Sequence, residues 1–427
     1  MLDIKFISAC PEDVKRGLAS RGLDESVVDR LAEDYRKRND LVFRADNLKK
    51  ERNALSRKFS EYKKEKKDPK EIIGQTRAIS EEIDQLDGEI KEIGNRLHET
   101  LLAVPNLPLP EVPVGLDPPR DNKLIRTWGE RADFAYEPKA HWDVAAPLEL
   151  FDAKRGGKIA GAFFLLYRGW GARLQRALIN FMLDLHGRDH GYCEVWPPFL
   201  VRRETMIATG QLPSLESDMY RIEQDDLFPI PTAEVPVTNI HRDEILREDE
   251  LPIRYVAYTP CFRREAGSYG KDTRGLIRVH QFEKVEMVKF CRPEESEAEH
   301  ESLLENAEKV LQLLGLEYQV VLLCTGDLSF SGAKCYDLEA YAPGLGKFLE
   351  VSSVTNYMDF QARRGNIRYR DANGKTRLVH TLNGSGLAIQ RVMACLLETY
   401  QQEDGSVRIP EVLRPYLGGH DLIQVET

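Results

Sequence analysis

No run of about 18 apolar residues interrupts this 427-residue chain, so no segment reads as a membrane-spanning helix. The start, MLDIKFISACPEDVKR, lacks the apolar core of a secretion signal, and cytoplasmic residence is the expectation. The seven cysteines (Cys10, Cys193, Cys261, Cys291, Cys324, Cys335, Cys395) are odd in number, scattered and without C-x-x-C spacing. That suggests neither a disulfide framework nor a zinc knuckle and predicts buried, reduced thiols. Neither a P-loop G-x-x-x-x-G-K-[ST] nor a G-x-G-x-x-G after a strand occurs, so any nucleotide must be bound by a different fold. Positive charge is in short supply: 60 Lys and Arg face 70 Asp and Glu, a formal net charge of −10. Nucleic-acid binding relies on neutralising phosphates, so a polyanionic partner must meet a local basic patch.

What is present divides into two materials. At 42% hydrophobic, the chain has room for two or three domains and at least one sizeable core. Positions 41, 45, 48, 52, 55, 59 and 62 alternate steps of four and three, and all but Arg52 are apolar or aromatic. Ile72, Thr76, Ile79, Ile83, Leu86, Ile90, Ile93 and Leu97 repeat the spacing. These are the seams of two long helices. Between them, KKEKKDPK (63–70) contains Pro69, which forbids a continuous helix and suits the first turn of the next. The pattern predicts an antiparallel coiled-coil hairpin over about 28–103, reaching roughly 45 to 60 Å at about 1.5 Å per residue. Around its tip, residues 49–70 carry ten basic side chains against four acidic ones, a local charge of +6. The arm alone leaves two readings open, a solvated coiled-coil surface or a nucleic-acid-binding arm.

VPNLPLPEVPVGLDPP (104–119) reads as a semi-rigid linker. It places one domain at 1–110 and a second at 111–427. In the second, Leu174, Leu178, Phe181, Met182 and Leu185 mark an amphipathic helix. VEMVKF (285–290) and YQVVLL (318–323) read as strands flanking a helix at 301–316. Without a regular βαβ repeat, the expected class is α+β on an antiparallel sheet flanked by helices.

Chemistry concentrates in CFRREAGSYGKDTRGLIRVHQFEKVEMVKF (261–290). Arg263 and Glu265 alternate on one expected strand. A Gly-rich polar loop (266–277) then leads to a second, where Arg278, His280, Phe282, Lys284 and Glu286 fall at period two. A salt-bridged solvent face is the plain interpretation. Physically, such a face also suits ATP and a zwitterion together: Arg clamps phosphate and carboxylate, Phe stacks a purine, Glu receives an ammonium or hydroxyl.

Arg-x-Glu at 263–265, Arg278-Val-His-Gln-Phe282 and LNGSGLAIQR (382–391) resemble motifs 2 and 3 of class II aminoacyl-tRNA synthetases. GYCEVWPPFLV (191–201) is similar to motif 1, whose proline-ended strand forms the dimer interface, so a homodimer is implied. PTAEVPVTN (231–239), KFLEVSSVTN (347–356), DFQARRGNIRYR (359–370) and the long hairpin make the whole chain resemble bacterial-type seryl-tRNA synthetases.

That resemblance implies activation of L-serine with ATP and transfer of serine to tRNA(Ser), with tRNA(Sec) a further candidate. It implies Arg263 bridging the serine carboxylate and the ATP α-phosphate, Glu265 reading the adenine amino group, Phe282 stacking on adenine and Arg391 on the γ-phosphate, with Arg263 and Arg391 the catalytic pair. Arg264, Val279, His280, Gln281, Val351 and Ser352 complete the implied ATP site. Glu350 and Ser353 are implied to hold Mg²⁺ and phosphates. Thr232, Ala233, Glu234, Glu286 and Ser385, with Arg263, are implied to bind serine; how the acidic groups divide the ammonium from the hydroxyl stays open. Lys49, Arg52, Arg57, Lys63, Lys64 and Lys67 are the tRNA-contact candidates. The family commonly has Cys after the Ser-Ser pair, where this chain has Val354. His280 is expected to serve a structural hydrogen bond. A serine carboxylate is already nucleophilic, so no general base is nominated. No compact Cys/His cluster is seen, and no zinc is expected.

Two alternatives remain: a class II paralogue that activates an amino acid for a non-tRNA carrier, and a coiled-coil nucleic-acid-binding protein with a non-catalytic second domain. The basic arm argues against the first. The joint presence of Arg263, Glu265, Glu350 and Arg391 argues against the second.

Overall fold

The computed structural model describes residues 1–265 and 274–425. The chain forms two compact units, Met1–Pro105 and Asn106–Thr427. No helix among the described residues is long and apolar enough to cross a membrane.

The first unit is the hairpin, α1 (Ser26–Lys64) and α2 (Lys70–Leu102). Its seam is the one the four-three spacing marks: Ala45 and Leu55 of α1 and Ile72, Ile83, Leu86, Ile93 and Leu97 of α2 are buried. Cross-helix ion pairs flank it, Arg44 with Glu82, Lys49 with Asp87 (3.0 Å) and Arg96 with Asp34 (2.8 Å). Exposed pairs of this kind contribute at most about 1 kcal/mol each, so the apolar seam holds the hairpin. Pro69 stands at the N-cap of α2, one residue before the expected first turn. Two short helices, Ile4–Ala9 and Pro11–Ser20, precede the hairpin and were not legible as such in the sequence.

The second unit is built on an eight-stranded sheet with strands β1 (Lys123–Trp128), β2 (Cys193–Glu194), β3 (Ile253–Phe262), β4 (Gln281–Cys291), β5 (Tyr318–Leu322), β6 (Lys334–Ala342), β7 (Lys347–Asn356) and β8 (His380–Ala388). The spatial order is β1-β5-β6-β7-β8-β4-β3-β2, and every pairing is antiparallel except β2 with β3. Its helices include α3 (His141–Ala145), α4 (Gly169–Arg188), α5 (Ser296–Leu314) and α6 (Ile389–Tyr400).

Period-two alternation divides the sheet's work. Val285 and Met287 of β4, Leu338 and Ala340 of β6 and Leu382 of β8 join Leu174, Leu178 and Met182 of α4, Leu303 and Leu311 of α5 and Val392 and Met393 of α6 in one core. Each fully buried aliphatic side chain there is worth about 1.5–3 kcal/mol. Glu286, Val288 and Phe290 take the other face. Val288 and Phe290 pack with Ala233, Val237 and Tyr369, which leaves Lys284 and Glu286 at the cavity end of the strand.

Two local expectations are corrected, the extent of two strands and the burial of every cysteine. Arg263 and Glu265 lie beyond β3, and Arg278 and His280 before β4: the last rung is Arg263 N–H to His280 O (3.0 Å), after which Glu265 turns left-handed at φ +52°. Of the Gly-rich loop expected at 266–277, residues 266–273 lie outside the described residues. The motif-1 strand is only two residues long, although Val195 N–H still donates to Val256 O (2.9 Å) before Pro197 and Pro198, which have no N–H to donate. Five cysteines are buried as free thiols, but Cys10 is half-buried and Cys193 exposed.

Candidate active site

A cavity of about 640 Å³ opens over the end of the sheet that carries Lys284, Glu350, Ser353, Asn383 and Ser385. A second, of about 320 Å³, adjoins it. Arg263, Glu265, Arg278, Lys284, Glu350, Ser353 and Ser385 line both.

The first cavity has a buried acidic floor. Glu234, at the start of the short helix Glu234–Thr238, is 5% exposed, and Glu286 on β4 is fully buried. Asn383 of β8 donates Nδ2 to both, at 3.2 Å to Glu234 and 2.8 Å to Glu286. Thr232 Oγ1 donates to Glu286 (3.1 Å), Gln361 Nε2 donates to Glu234 (2.6 Å), and Lys284 Nζ is ion-paired with Glu286. Tyr357 OH donates to Asn383 Oδ1 (2.8 Å), which orients the amide toward the carboxylates. Burial, and then the Glu286 charge, push the Glu234 carboxyl up to about 7. Arg263 stands above this floor, its Nε donating to Pro231 O (3.3 Å) and its guanidinium 5.0 Å from the centre of the Phe282 ring.

The second cavity is lined by Phe282, Val279, Val351, Ser352 and Arg391 beside the shared residues. Arg391, from the first turn of α6, reaches Glu350 twice, at its carboxylate (3.2 Å) and its carbonyl (2.7 Å). Arg391, followed by Arg263, holds the Glu350 carboxyl below its ordinary range. Asp337, across the β6–β7 ladder, is pushed well up by burial and then by Glu350. Arg278 Nη1 donates to Glu265 (2.7 Å).

Among the residues nominated from sequence, Thr232, Glu234, Arg263, Glu265, Val279, Phe282, Glu350, Val351, Ser352, Ser353, Ser385 and Arg391 line one or both cavities. Ala233 packs into the core behind them. Glu286, the deeper carboxylate of that floor, lines neither cavity itself and is covered by Thr232, Lys284 and Asn383. Arg264 turns away, its guanidinium 5.9 Å from the Tyr220 ring, and Gln281 is exposed. His280 bonds Tyr220 OH through Nδ1 (2.9 Å) and packs near Phe163 and Phe164, in keeping with a structural task. Sequence reasoning missed Lys284 as a site residue, although it falls at period two between Phe282 and Glu286, and Asn383, two residues before Ser385. Gln361 lies within the DFQARRGNIRYR string but was not singled out, and Tyr357 and Asp337 gave no local signal.

On the hairpin, Arg57, Lys63, Lys64 and Lys67 are exposed, while Arg52 is half-buried along the seam. Lys49 is held by Asp87, and Lys67 by Glu65 at 2.7 Å.

Residues 1–108 match the seryl-tRNA synthetase N-terminal domain, and residues 219–400 the class II tRNA synthetase core domain for G, H, P, S and T. The chain is 52% identical over 419 residues to the serine–tRNA ligase of Pelotomaculum thermopropionicum, covering 98% of this chain and 99% of that one. The chain belongs to the seryl-tRNA synthetase family. The serine–tRNA ligase of Geobacter sulfurreducens is 53% identical over 420 residues, 98% of this chain and 99% of that one. The crystal structure of seryl-tRNA synthetase from Pyrococcus horikoshii complexed with ATP superposes with a TM-score of 0.94 at 38% identity, covering 100% of both chains.

Proposed function

We propose that the chain activates L-serine with ATP to seryl adenylate and transfers the serine to the 3′ end of tRNA(Ser). The observation that carries this reading is the sharing of one cavity by a guanidinium, Arg263, and the Glu234 carboxyl, with Glu286 buried behind Thr232, Lys284 and Asn383, next to the Phe282–Arg391 cavity. The floor offers negative charge for an ammonium and acceptors for a hydroxyl, and Arg263 and Arg391 offer positive charge for carboxylate and phosphates. Ser385 completes the serine pocket at the junction of the two cavities.

In this reading Arg263 draws the serine carboxylate and the α-phosphate together. The carboxylate oxygen forms a bond to phosphorus as pyrophosphate leaves; the terminal ribose hydroxyl of tRNA then attacks the acyl carbon and releases AMP. Catalysis is positioning and charge neutralisation, with no enzyme nucleophile. Glu265, fixed by Arg278, reads the adenine amino group, Phe282 stacks on the ring, and Val279, Val351 and Ser352 form the walls.

The donor set suits Mg²⁺. Glu350 and Asp337 are neighbouring carboxylates with mutually unfavourable charge, Ser353 adds a hydroxyl, and Mg²⁺ with phosphates is commonly held by one or two carboxylates. Among the described residues no group of three or more His, Cys, Asp or Glu is placed to hold a metal unaided. When bound with ATP, the ion would neutralise phosphate charge at Glu350 and Ser353.

Residues 1–110 are the proposed tRNA-binding arm and 111–427 the catalytic domain. The two-residue motif-1 strand and the 67% exposed Trp196 beside it support a homodimer.

The test is amino-acid-dependent pyrophosphate exchange with serine, threonine, alanine, glycine and proline in parallel. Serine alone is expected to support exchange, because alanine leaves buried acceptors unpaired and threonine's extra methyl has to be excluded sterically. Exchange at comparable rates with alanine or threonine contradicts the reading.

A further inference from the structure

Outside the two cavities, His141 on α3 and Glu398 on α6 are both fully buried, and neither takes part in the chemistry described above. They are bonded to each other, His141 Nδ1 to Glu398 Oε1 at 2.8 Å. Glu398 also accepts from His141 N–H (2.9 Å) and Leu345 N–H (3.1 Å), so its two oxygens are satisfied by donors alone. The opposite ring nitrogen, Nε2, accepts the backbone N–H of Leu276 at 3.1 Å. Because Leu276 N–H can only donate, Nε2 carries no proton and Nδ1–H points at the carboxylate, which fixes both the tautomer and the plane of the ring.

The surroundings clamp the same short stretch. Gly275 lies against the imidazole in a left-handed conformation (φ +71°), where a Cβ would stand 2.3 Å from His141 Nε2. Arg274 lies 4.7 Å from the Trp142 ring and 3.8 Å from Asp143. Immediately beyond, Ile277, Arg278, Val279 and Phe282 line the second cavity, and Ile277 O receives Arg391 Nε at 3.5 Å. Glu398 follows Arg391 on the same helix, so one buried pair ties the limb entering β4 to the helix carrying Arg391.

We propose that His141 is a positioning residue for the ATP site: held by Glu398, it anchors Leu276 and thereby sets the placement of Ile277–Phe282 and Arg391. This rests on the reading of the second cavity as the ATP site. The first cavity's carboxylates, Glu234 and Glu286, bond neither member of the pair and should not feel it.

Two variants of the full chain separate this role from general stabilisation. Asn in H141N still reaches Glu398 but is too short to accept from Leu276. Gln in H141Q places an acceptor where Nε2 stood. In serine-dependent pyrophosphate exchange, H141N is expected to raise KM for ATP roughly tenfold, the loss of one buried hydrogen bond, with KM for serine within about twofold of the parent. H141Q is expected to recover most of the ATP effect. Equal changes in the two KM values, an unchanged ATP KM in H141N, or an H141Q as impaired as H141N each overturns the proposal. A parent chain inactive in exchange would instead overturn the functional reading beneath it.

Discussion

Glu234 combines burial, a neighbouring carboxylate and a carboxyl pushed up to about 7. Because it is raised from 4.5, the folded state holds a proton that the unfolded chain gives up. The resulting stabilisation, roughly 3 kcal/mol, is fully present below pH 4.5 and lost as pH rises through 7. An ammonium on the floor reverses the preference by favouring the carboxylate. Serine binding at about pH 6.5 is therefore predicted to release up to about three-quarters of a proton, and E234Q to abolish that release. Calorimetry in buffers of different ionisation enthalpy measures it directly, and proton-neutral binding by the parent chain contradicts the role given to Glu234. At this scale the sequence was legible where chemistry is written in short runs, as in Arg263, Glu265, Phe282 and Arg391. Asn383 escaped because its task, bridging two carboxylates from different parts of the chain, exists only once β4, β8 and the 234–238 helix meet. His141 escaped for the same reason, standing 135 positions from Leu276.

Helices and strands show a similar division. The seam of α1 and α2 was readable because a four-three apolar spacing has few other uses, and α4 was readable from its apolar stripe. The strands flanking the 263–282 connection were drawn too long, since period-two alternation continues through Arg263–Glu265 and Arg278–His280 while the ladder stops at the Arg263–His280 rung. Alternation reports which way side chains would point in a strand, not where pairing ends. On the hairpin, Lys63, Lys64 and Lys67 are exposed and so available to a phosphate backbone, although Lys67 would have to leave Glu65. Reversing all three to Glu is predicted to lower kcat/KM for tRNA at least tenfold and flatten its salt dependence, while leaving pyrophosphate exchange within about twofold. Equal losses in both assays would remove the arm from tRNA binding.

Over the whole molecule, the proposed reading reconciles an acidic chain with a polyanionic substrate by segregation: a local surplus of basic side chains lies at the hairpin tip, while buried carboxylates form the floor of the cavity. The two-unit division follows from the proline-rich stretch after Leu102, where α2 cannot continue. On the proposed reading adenylate formation needs only the second unit, while the final product needs a tRNA. The most direct measurement is the amount of serine esterified to tRNA(Ser) when the full chain is incubated with serine, ATP, Mg²⁺ and the tRNA. Near-stoichiometric charging that requires ATP is the predicted result. Serine-dependent pyrophosphate exchange without any charging of tRNA(Ser) contradicts it and points instead to an activating enzyme that serves another carrier.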